Sequence, residues 1–352
     1  MSTKAQQSAY AQAGVNIDSK MTALKAIKEM VGKTKTVNVV GGIGSFGGLC
    51  RLPQGSTKST LLVSSTDGVG TKLKVAVMMN KHDTVGQDIV NHCVNDILVQ
   101  GARPLFFMDY VGASKFDGNV FQQIVSGLCK ACKENNMALL GGETAELPGL
   151  YPVNEYDLTG TIVGTVSRAQ LVTGKSIRAG DVIVGLPSGG LQTNGYSLAR
   201  RVFFDICQLT PKDKLPGTNQ TVGEALLAVH KSFLKPVTRL LDNKIKISGM
   251  AHITGGGFPD NIPRVLPKAV VAEIDRSTWE VPTIFKFIER QGRVERDEMY
   301  RVFNMGIGFV LILPKNQLPR LKAVFRNIRQ PWYQIGVVRV RKGNGPQVVY
   351  KN

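Results

Sequence analysis

The chain has no run approaching the roughly 18 unbroken apolar residues of a membrane span, and its opening, MSTKAQQSAYAQAGV, lacks the apolar stretch of a secretory signal. A cytoplasmic protein with no membrane partner is therefore expected. Cysteine is scarce. Five in 352 residues, an odd number thinly spread, make no disulfide framework. Only Cys129 and Cys132 are close, as a C-x-x-C in the helical-looking GLCKACKEN. With no second pair for zinc and no turn suited to a redox site, both read as ordinary helix residues. No G-x-x-x-x-G-K-[ST] occurs, so any nucleotide must be held by something other than a P-loop. Internal repeats and low-complexity segments are lacking too.

What remains is an ordinary globular composition, 43% hydrophobic and 20% charged, at a length that suggests two domains. Charge is the unusual feature. Through Val166 there are 15 basic and 13 acidic residues, and thereafter 29 basic against 13 acidic. The basic half could attract phosphate esters or nucleic acid, but its lysines and arginines are scattered singly, without runs or interleaved aromatics. No specific nucleic-acid partner is expected. The charge step and the SRAQLVTGKSIRAGD connector divide the chain into residues 1–166 and 167–352.

Periodicity predicts alternating helices and strands in both parts. In the first, helices are expected at Thr22–Val31, Thr84–Gln100 and Val120–Asn135, with strands at Ser59–Thr66, Pro104–Val111, Met137–Leu140 and Asp157–Val166. The second has expected strands at Asp181–Leu186, Ile247–Ile253, Val270–Ile274, Ile307–Leu313 and Tyr333–Val340. Its expected helices are Asn194–Asp205, Gly223–Asp242, Thr283–Gln291 and Gln317–Asn327. The fold class is α/β (α+β).

Gly42, Gly44 and Gly47 satisfy the dinucleotide pattern G-x-G-x-x-G, yet the following GLCRLPQGS cannot open the helix that would hold a pyrophosphate. A glycine flap over a phosphate chain fits better. Ser65–Lys72 (STDGVGTK) places a carboxylate, two glycines, a hydroxyl and an ammonium at the end of a strand, where a turn could hold metal and phosphate together. On a helical wheel Asp88, His92, Asn95 and Asp96 share one arc of about 100° on an otherwise apolar helix. Such a face is costly to bury unless it meets a cation, water or ligand, and its oxygen ligands favour Mg²⁺. GGETAE (141–146) brings further carboxylates where the chain is expected to turn. Thr193, Asn194 and Gly195 precede a helix and could offer an anion site. His252–Gly257 (HITGGG), before Asp260 and Asn261, lets backbone approach a ligand closely.

These segments occur in one order: YAQAGV, GGIGSFGG, STDGVGTK, VND with QGARPLFFMDY, GGETAELPG, TNGYSLAR, HITGGGFPDNIPRVLP and EMYRVFNMGIG. Together, from about Tyr10 to the carboxyl terminus, they resemble the phosphoribosylformylglycinamidine cyclo-ligases. Asp96–Pro104 is similar to the D-x-x-x-x-G-A-x-P signature of their wider ATP-binding superfamily. The resemblance implies ATP-dependent closure of formylglycinamidine ribonucleotide to aminoimidazole ribonucleotide. It also implies a homodimer whose amino-terminal sheets join into a barrel, and a carboxyl-terminal mixed sheet with flanking helices. Catalytic roles fall on Asp67, Asp96 and His252, and Mg²⁺ on Asp67, Asp96 and Glu143. ATP falls to Lys28, Gly42, Gly44, Gly47, Gly68, Thr71, Lys72, Asn95 and Glu143. The ribonucleotide falls to Asn194, Gly195, Thr254, Gly255, Gly256 and Asn261. A monovalent cation stays an open option.

One departure stands out. Where the family usually reads H-[ST]-N-G-Y-S, this chain has Gln192, which can hydrogen-bond but not carry charge. Similar folds serve selenophosphate synthetases, thiamine-phosphate kinases and hydrogenase-maturation proteins. No early catalytic cysteine appears, and GGETAELPG with HITGGGFPDN favours the purine enzyme.

Overall fold

The computed structural model describes residues 39–40, 48–51, 59–115 and 117–351. In the first part, strands β1 (Val39–Val40), β2 (Gly48–Arg51), β3 (Thr60–Gly68), β4 (Arg103–Ala113), β5 (Ala138–Glu146) and β6 (Tyr156–Ser167) form one sheet in the order β1-β2-β3-β6-β4-β5. All neighbours are antiparallel except the β4–β5 pair. Burial alternates without a break along β6, the period-2 signature of a strand with one face on a core. That core is closed by α2 (Asp83–Leu98), which packs on β3, β4 and β6, beside α3 (Gly118–Glu134). A shorter helix, α1 (Lys72–Met79), leads from β3 towards α2.

The α2–α3 contact needs glycine on both sides. A Cβ on Gly86 would lie 2.3 Å from the Ile124 carbonyl oxygen, and one on Gly127 would lie 2.3 Å from that of Asp83. Backbone thus meets backbone, and α2 is held deep against its sheet.

The second sheet has the order β12-β9-β11-β7-β10-β8, built from β7 (Val182–Pro187), β8 (Gly249–His252), β9 (Val270–Asp275), β10 (Ile307–Leu313), β11 (Tyr333–Val340) and β12 (Val348–Lys351). Only β9 and β12 pair in parallel. Every residue of β7 but its last, and all of β8 and β10, is buried. That explains their unbroken apolar sequences. Helices α4 (Tyr196–Arg200), α5 (Val222–Leu226), α6 (Leu234–Asp242), α7 (Gly257–Asn261), α8 (Thr283–Gly292), α9 (Arg296–Val302) and α10 (Leu318–Asn327) complete this part.

The mixed α/β class agrees with the sequence, and β10 and β11 have the expected bounds. Four local expectations need correction. The stretch Lys72–Met79 is a helix rather than part of a turn. GGETAE continues β5 as strand, because β4 supplies a parallel partner through Glu146. The helix expected over Gly223–Asp242 is two short helices separated by residues 227–233. The one expected over Asn194–Asp205 is a five-residue α-helix running on into the π-helical turns Arg201–Ile206. Residues after the glycine flap form β2, so the dinucleotide reading is excluded there. The flap glycines Gly42, Gly44 and Gly47, the helix expected at Thr22–Val31 and its Lys28 lie outside the described residues.

Candidate functional site

Every residue of α2 from Thr84 to Leu98 is buried, its polar stripe included. What meets that stripe is backbone from the second part. Asn95 Oδ1 accepts from the Phe233 amide at 2.9 Å, and its Nδ2 donates to the Lys231 carbonyl at 2.8 Å. Asn91 Nδ2 donates to the His230 carbonyl at 2.8 Å, while the His230 amide donates to Asp88 Oδ1 at 2.7 Å. Side chains of α2 therefore satisfy backbone groups that a continuing helix would have paired internally, and the chain breaks there.

Two expected nucleotide ligands are used up in this junction. Lys72 is fully buried, paired with Asp88 at 2.8 Å, and donates to the carbonyls of Gln192 at 3.2 Å and Ala228 at 2.7 Å. Burial pulls the Lys72 ammonium pKa down and pushes the Asp88 carboxyl up, while each opposes the change in the other. Asn95, likewise fully buried, has both ends of its amide on backbone. Neither side chain is within reach of a phosphate. Glu143 is corrected as well. Asp67 and Glu143 belong to one sheet, but β6 and β4 lie between them, roughly 14 Å at ordinary strand spacing. Within one chain it does not join the other carboxylates.

Asp67, Asp96 and His252 do come together, and two histidines absent from the expected set join them. His92 Nε2 lies 2.8 Å from Asp67 Oδ2 and 3.6 Å from Asp96 Oδ2. His252 Nδ1 lies 2.8 Å from Asp96 Oδ1, and Ser65 Oγ donates to Asp96 Oδ2 at 3.2 Å. His230 Nε2 is 3.1 Å from His252 Nε2, and Thr193 Oγ1 bridges His230 Nδ1 at 3.2 Å to His92 Nδ1 at 2.8 Å. Three of the chain's four histidines thus meet at the junction of the two parts. His92 was legible on the helical wheel. His230 was not, because its loop reads as helix.

Burial disfavours the charged form of His92, but the Asp67 and Asp96 carboxylates outweigh it and hold the imidazole pKa up at about 9. Burial likewise opposes charge on Asp67, yet His92 and the Gly68 amide, donating at 2.7 Å, bring its carboxyl down to about 2. With a side chain 45% exposed, Asp67 is the cluster's face to solvent. Burial keeps His252 and His230 below the usual imidazole range, the latter far below.

Gln192, at the position where the family usually has histidine, is buried in the left-handed region (φ 64°), with Nε2 3.2 Å from His230 Nε2. The residues after it line the same junction. Gly195 has φ 77°, and a Cβ there would lie 2.1 Å from the Phe303 ring, so only glycine fits. Asn194 stands beside Gly255, and its Nδ2 is buried with no hydrogen-bond partner among the described residues. Asn261 braces the turn after β8 by donating to the Gly257 carbonyl at 2.7 Å and accepting from Thr254 Oγ1 at 3.2 Å. Gly256 caps α7 at φ 91°. Thr71 is exposed, its hydroxyl 3.3 Å from that of Ser197. A cavity of about 390 Å³ lies elsewhere, lined by His82, Asp117, Phe121 and Tyr156 among others, and none of the expected site residues lines it.

Both parts match known domain models. The AIR synthase related protein N-terminal domain matches residues 48–166, and the C-terminal domain of the same family matches residues 178–349. A phosphoribosylformylglycinamidine cyclo-ligase from Thermoanaerobacter sp. (strain X514) is 47% identical over 334 residues, covering 95% of this chain and 98% of its own. One from Lawsonia intracellularis is 46% identical over 341 residues, 97% of each chain. The chain belongs to the phosphoribosylformylglycinamidine cyclo-ligase family. Among solved structures, hydrogenase maturation protein HypE in complex with ATP superposes with a TM-score of 0.60 at 19% identity, covering 86% of this chain and 83% of that one. Thiamine-monophosphate kinase from Stenotrophomonas maltophilia K279a gives 0.59 at 18%, covering 90% and 92%. At such identities the likeness is one of fold.

Removing the Lys72 charge leaves Asp88 buried and uncompensated, so Lys72→Met is expected to cost about 3–5 kcal/mol in urea unfolding. Unchanged stability with a raised KM for ATP would return Lys72 to the nucleotide. A second expectation concerns pH. His92 is stabilised in its charged form, a contribution complete below about pH 6.5 and lost as pH rises through about 9, worth on the order of 3 kcal/mol. His230 and His252, held neutral, act oppositely and cost stability below about pH 6.5. Metal-free protein should therefore be most stable near that pH, and His92→Gln should flatten the decline towards pH 9. An unaltered decline in the variant would place its origin elsewhere.

Proposed function

We propose that the protein closes the imidazole ring of aminoimidazole ribonucleotide from formylglycinamidine ribonucleotide at the expense of ATP, in purine biosynthesis. The observation that supports this most is the meeting of Asp67, Asp96 and His252, from three distant stretches of chain, beside a buried and unpartnered Asn194 amide. The family membership points to the same reaction.

The chemical obstacle is an amide oxygen that will not leave. Attack of that oxygen on the γ-phosphorus of ATP forms a new P–O bond, expels ADP and gives an iminophosphate. The amidine nitrogen then attacks the activated carbon. Its C–O bond breaks, phosphate departs with the electron pair, and the nitrogen loses a proton. Both displacements depend on holding the partners in line and neutralising phosphate charge.

In this reading Asp67 and Asp96 hold Mg²⁺. Two carboxylates on either side of one imidazole, one of them open to solvent, fit an ion that prefers oxygen ligands. When bound, the ion offsets the charge of the phosphates. Asp96 keeps the His252 ring oriented against the substrate cleft. Thr71 and Gly68 border the phosphates, and the flap glycines Gly42, Gly44 and Gly47, with Lys28, close over the nucleotide. Asn194 Nδ2 donates to the ribonucleotide, while Gly195, Thr254, Gly255, Gly256 and Asn261 shape its pocket. Residues 1–166 then form the nucleotide domain and residues 167–352 complete the substrate site, in a cytoplasmic homodimer. Leu105, Met108 and Leu140, 47%, 38% and 63% exposed on β4 and β5, supply apolar surface for sheet-to-sheet pairing.

Purified protein given ATP, Mg²⁺ and formylglycinamidine ribonucleotide should release ADP only when the amidine is present. Asp96→Asn should lose at least about 100-fold in kcat/KM while keeping its circular dichroism. ADP release that ignores the amidine would refute the reading, and undiminished turnover would remove Asp96 from the site. Light scattering should show a dimer that Leu140→Glu converts to monomer; a wild-type monomer would exclude the barrel.

A further inference from the structure

The protons in the histidine cluster cannot all be placed without a cation. The Asn95 amide is oriented beyond doubt, because turning it over would break its bonds to the Lys231 carbonyl and the Phe233 amide together. Its second Nδ2 proton is then directed at His230 Nε2, 3.2 Å away, so that nitrogen is an acceptor. The His230 proton accordingly sits on Nδ1 and is donated to Thr193 Oγ1. His252 Nε2, 3.1 Å from the same acceptor, must carry a proton to avoid setting two lone pairs against each other. A neutral His252 then turns an unprotonated Nδ1 towards Asp96 Oδ1 at 2.8 Å, lone pair against carboxylate. Positive charge has to lie between them.

The opposite side of the cluster is built alike. Thr193 Oγ1 engages His92 Nδ1 at 2.8 Å, which leaves His92 Nε2 facing Asp67 Oδ2 at 2.8 Å and Asp96 Oδ2 at 3.6 Å. Both imidazoles thus have their outer nitrogens pinned and their inner nitrogens aimed at the same carboxylates, the usual arrangement behind metal-bound histidines. Ligand atoms of His92, Asp96 and His252 all lie within 4.8 Å of one another. A tetrahedral ion with bonds of about 2.0–2.1 Å asks for donors roughly 3.3 Å apart. The observed 2.8 and 3.6 Å pairs bracket that spacing.

We infer that His92 Nε2, His252 Nδ1 and the Asp96 carboxylate, with Asp67 as fourth ligand, form a site for an imidazole-preferring divalent transition ion of the Zn²⁺ and Co²⁺ class. With the ion in place every proton has one position. His252 Nε2–H donates to His230, His230 Nδ1–H and His92 Nδ1–H donate to Thr193, and no two lone pairs meet. Mg²⁺, which takes oxygen ligands, uses only the carboxylates, so the imidazoles give this chain a second metal preference. His92, Asp96 and His252 are 3%, 5% and 0% exposed, and the half-open Asp67 carboxylate is the way in from solvent. Because the ion would occupy the carboxylates assigned above to Mg²⁺, the two metals compete. The inference itself does not depend on the ring-closure reading.

The test uses the full-length protein, freed of metal and without nucleotide. Titration with Co²⁺ should give the intense visible absorption of a four-coordinate ion, saturating at one ion per chain, and Zn²⁺ should bleach it. His92→Ala should abolish that band. Thr193→Val, at a half-buried position whose loss the fold tolerates, removes only the hydroxyl behind His92 and His230 and should weaken Zn²⁺ binding about 10–100-fold against a chromogenic chelator. Thr193→Ser should restore it. A six-coordinate Co²⁺ spectrum, no saturable binding, or binding indifferent to both His92→Ala and Thr193→Val would overturn the site. A wild-type protein that binds Co²⁺ in this way but fails the ring-closure assay would sink the proposed activity and leave the metal site standing.

Discussion

The structure turns on one buried interaction: the polar stripe of α2 against the backbone of residues 228–233. A helix with no solvent-facing side has to pair every polar group it carries. Asp88, Asn91 and Asn95 do so by bonding to the amide of His230, its carbonyl, the carbonyl of Lys231 and the amide of Phe233. The loop gains as much as the helix, since its backbone would otherwise be unpaired in the interior. Lys72 then locks the arrangement from the side, joining Asp88 to two carbonyls of the second part. Removing either partner of such a pair is costly, whereas the intact pair adds little net stability and serves instead to fix geometry. The geometry it fixes is the position of His230 relative to α2, and with it the spacing of the histidine cluster.

Much of this was readable in advance. The wheel around Asn95 set apart the stripe that the structure uses, and the apolar runs at Ile307–Leu313 and Tyr333–Val340 are strands with those bounds. The errors share a cause. Local propensity extends a helix through Ala228–Phe233 and turns the chain at Gly141-Gly142, but tertiary partners decide otherwise: α2 side chains capture the first segment, and β4 captures the second. Lys72 looked like a phosphate ligand because ammonium beside glycine and threonine suits one. Nothing in a one-dimensional pattern tells an ammonium that meets solvent from one that meets a buried carboxylate 16 residues on. His230 carried no signal, since an isolated histidine in an apparent helix is unremarkable until its neighbours in space are known.

The excess of basic residues after Val166 does not enter the cluster. Its charges of either sign are Asp67, Asp96 and His92, all from the nearly neutral first part. The second part contributes neutral groups instead: two imidazoles held uncharged by burial, the Thr193 hydroxyl and amide side chains. The chain thus divides its labour, the first part bringing charge and the second part the dipoles that orient it.

That division has a consequence for how the site can work. Carboxylates that neutralise a phosphate chain must be held against their mutual repulsion before the ligand arrives, and a flexible site would spend binding free energy doing so. Here the cost is met in the fold. Asp96 is fixed by Ser65 and His252, and Asp67 by His92 and the Gly68 amide, on a helix whose glycine contact with α3 leaves no room to shift. The same rigidity limits which residues can change. Gln192 can stand where an imidazole is usual because His230 already fills the adjoining space with one, held by Asn95 and Thr193. The number of rings beside Asp96 is thereby kept while the segment that supplies them differs, so position along the chain is a poorer guide to this site than the set of groups that reach α2.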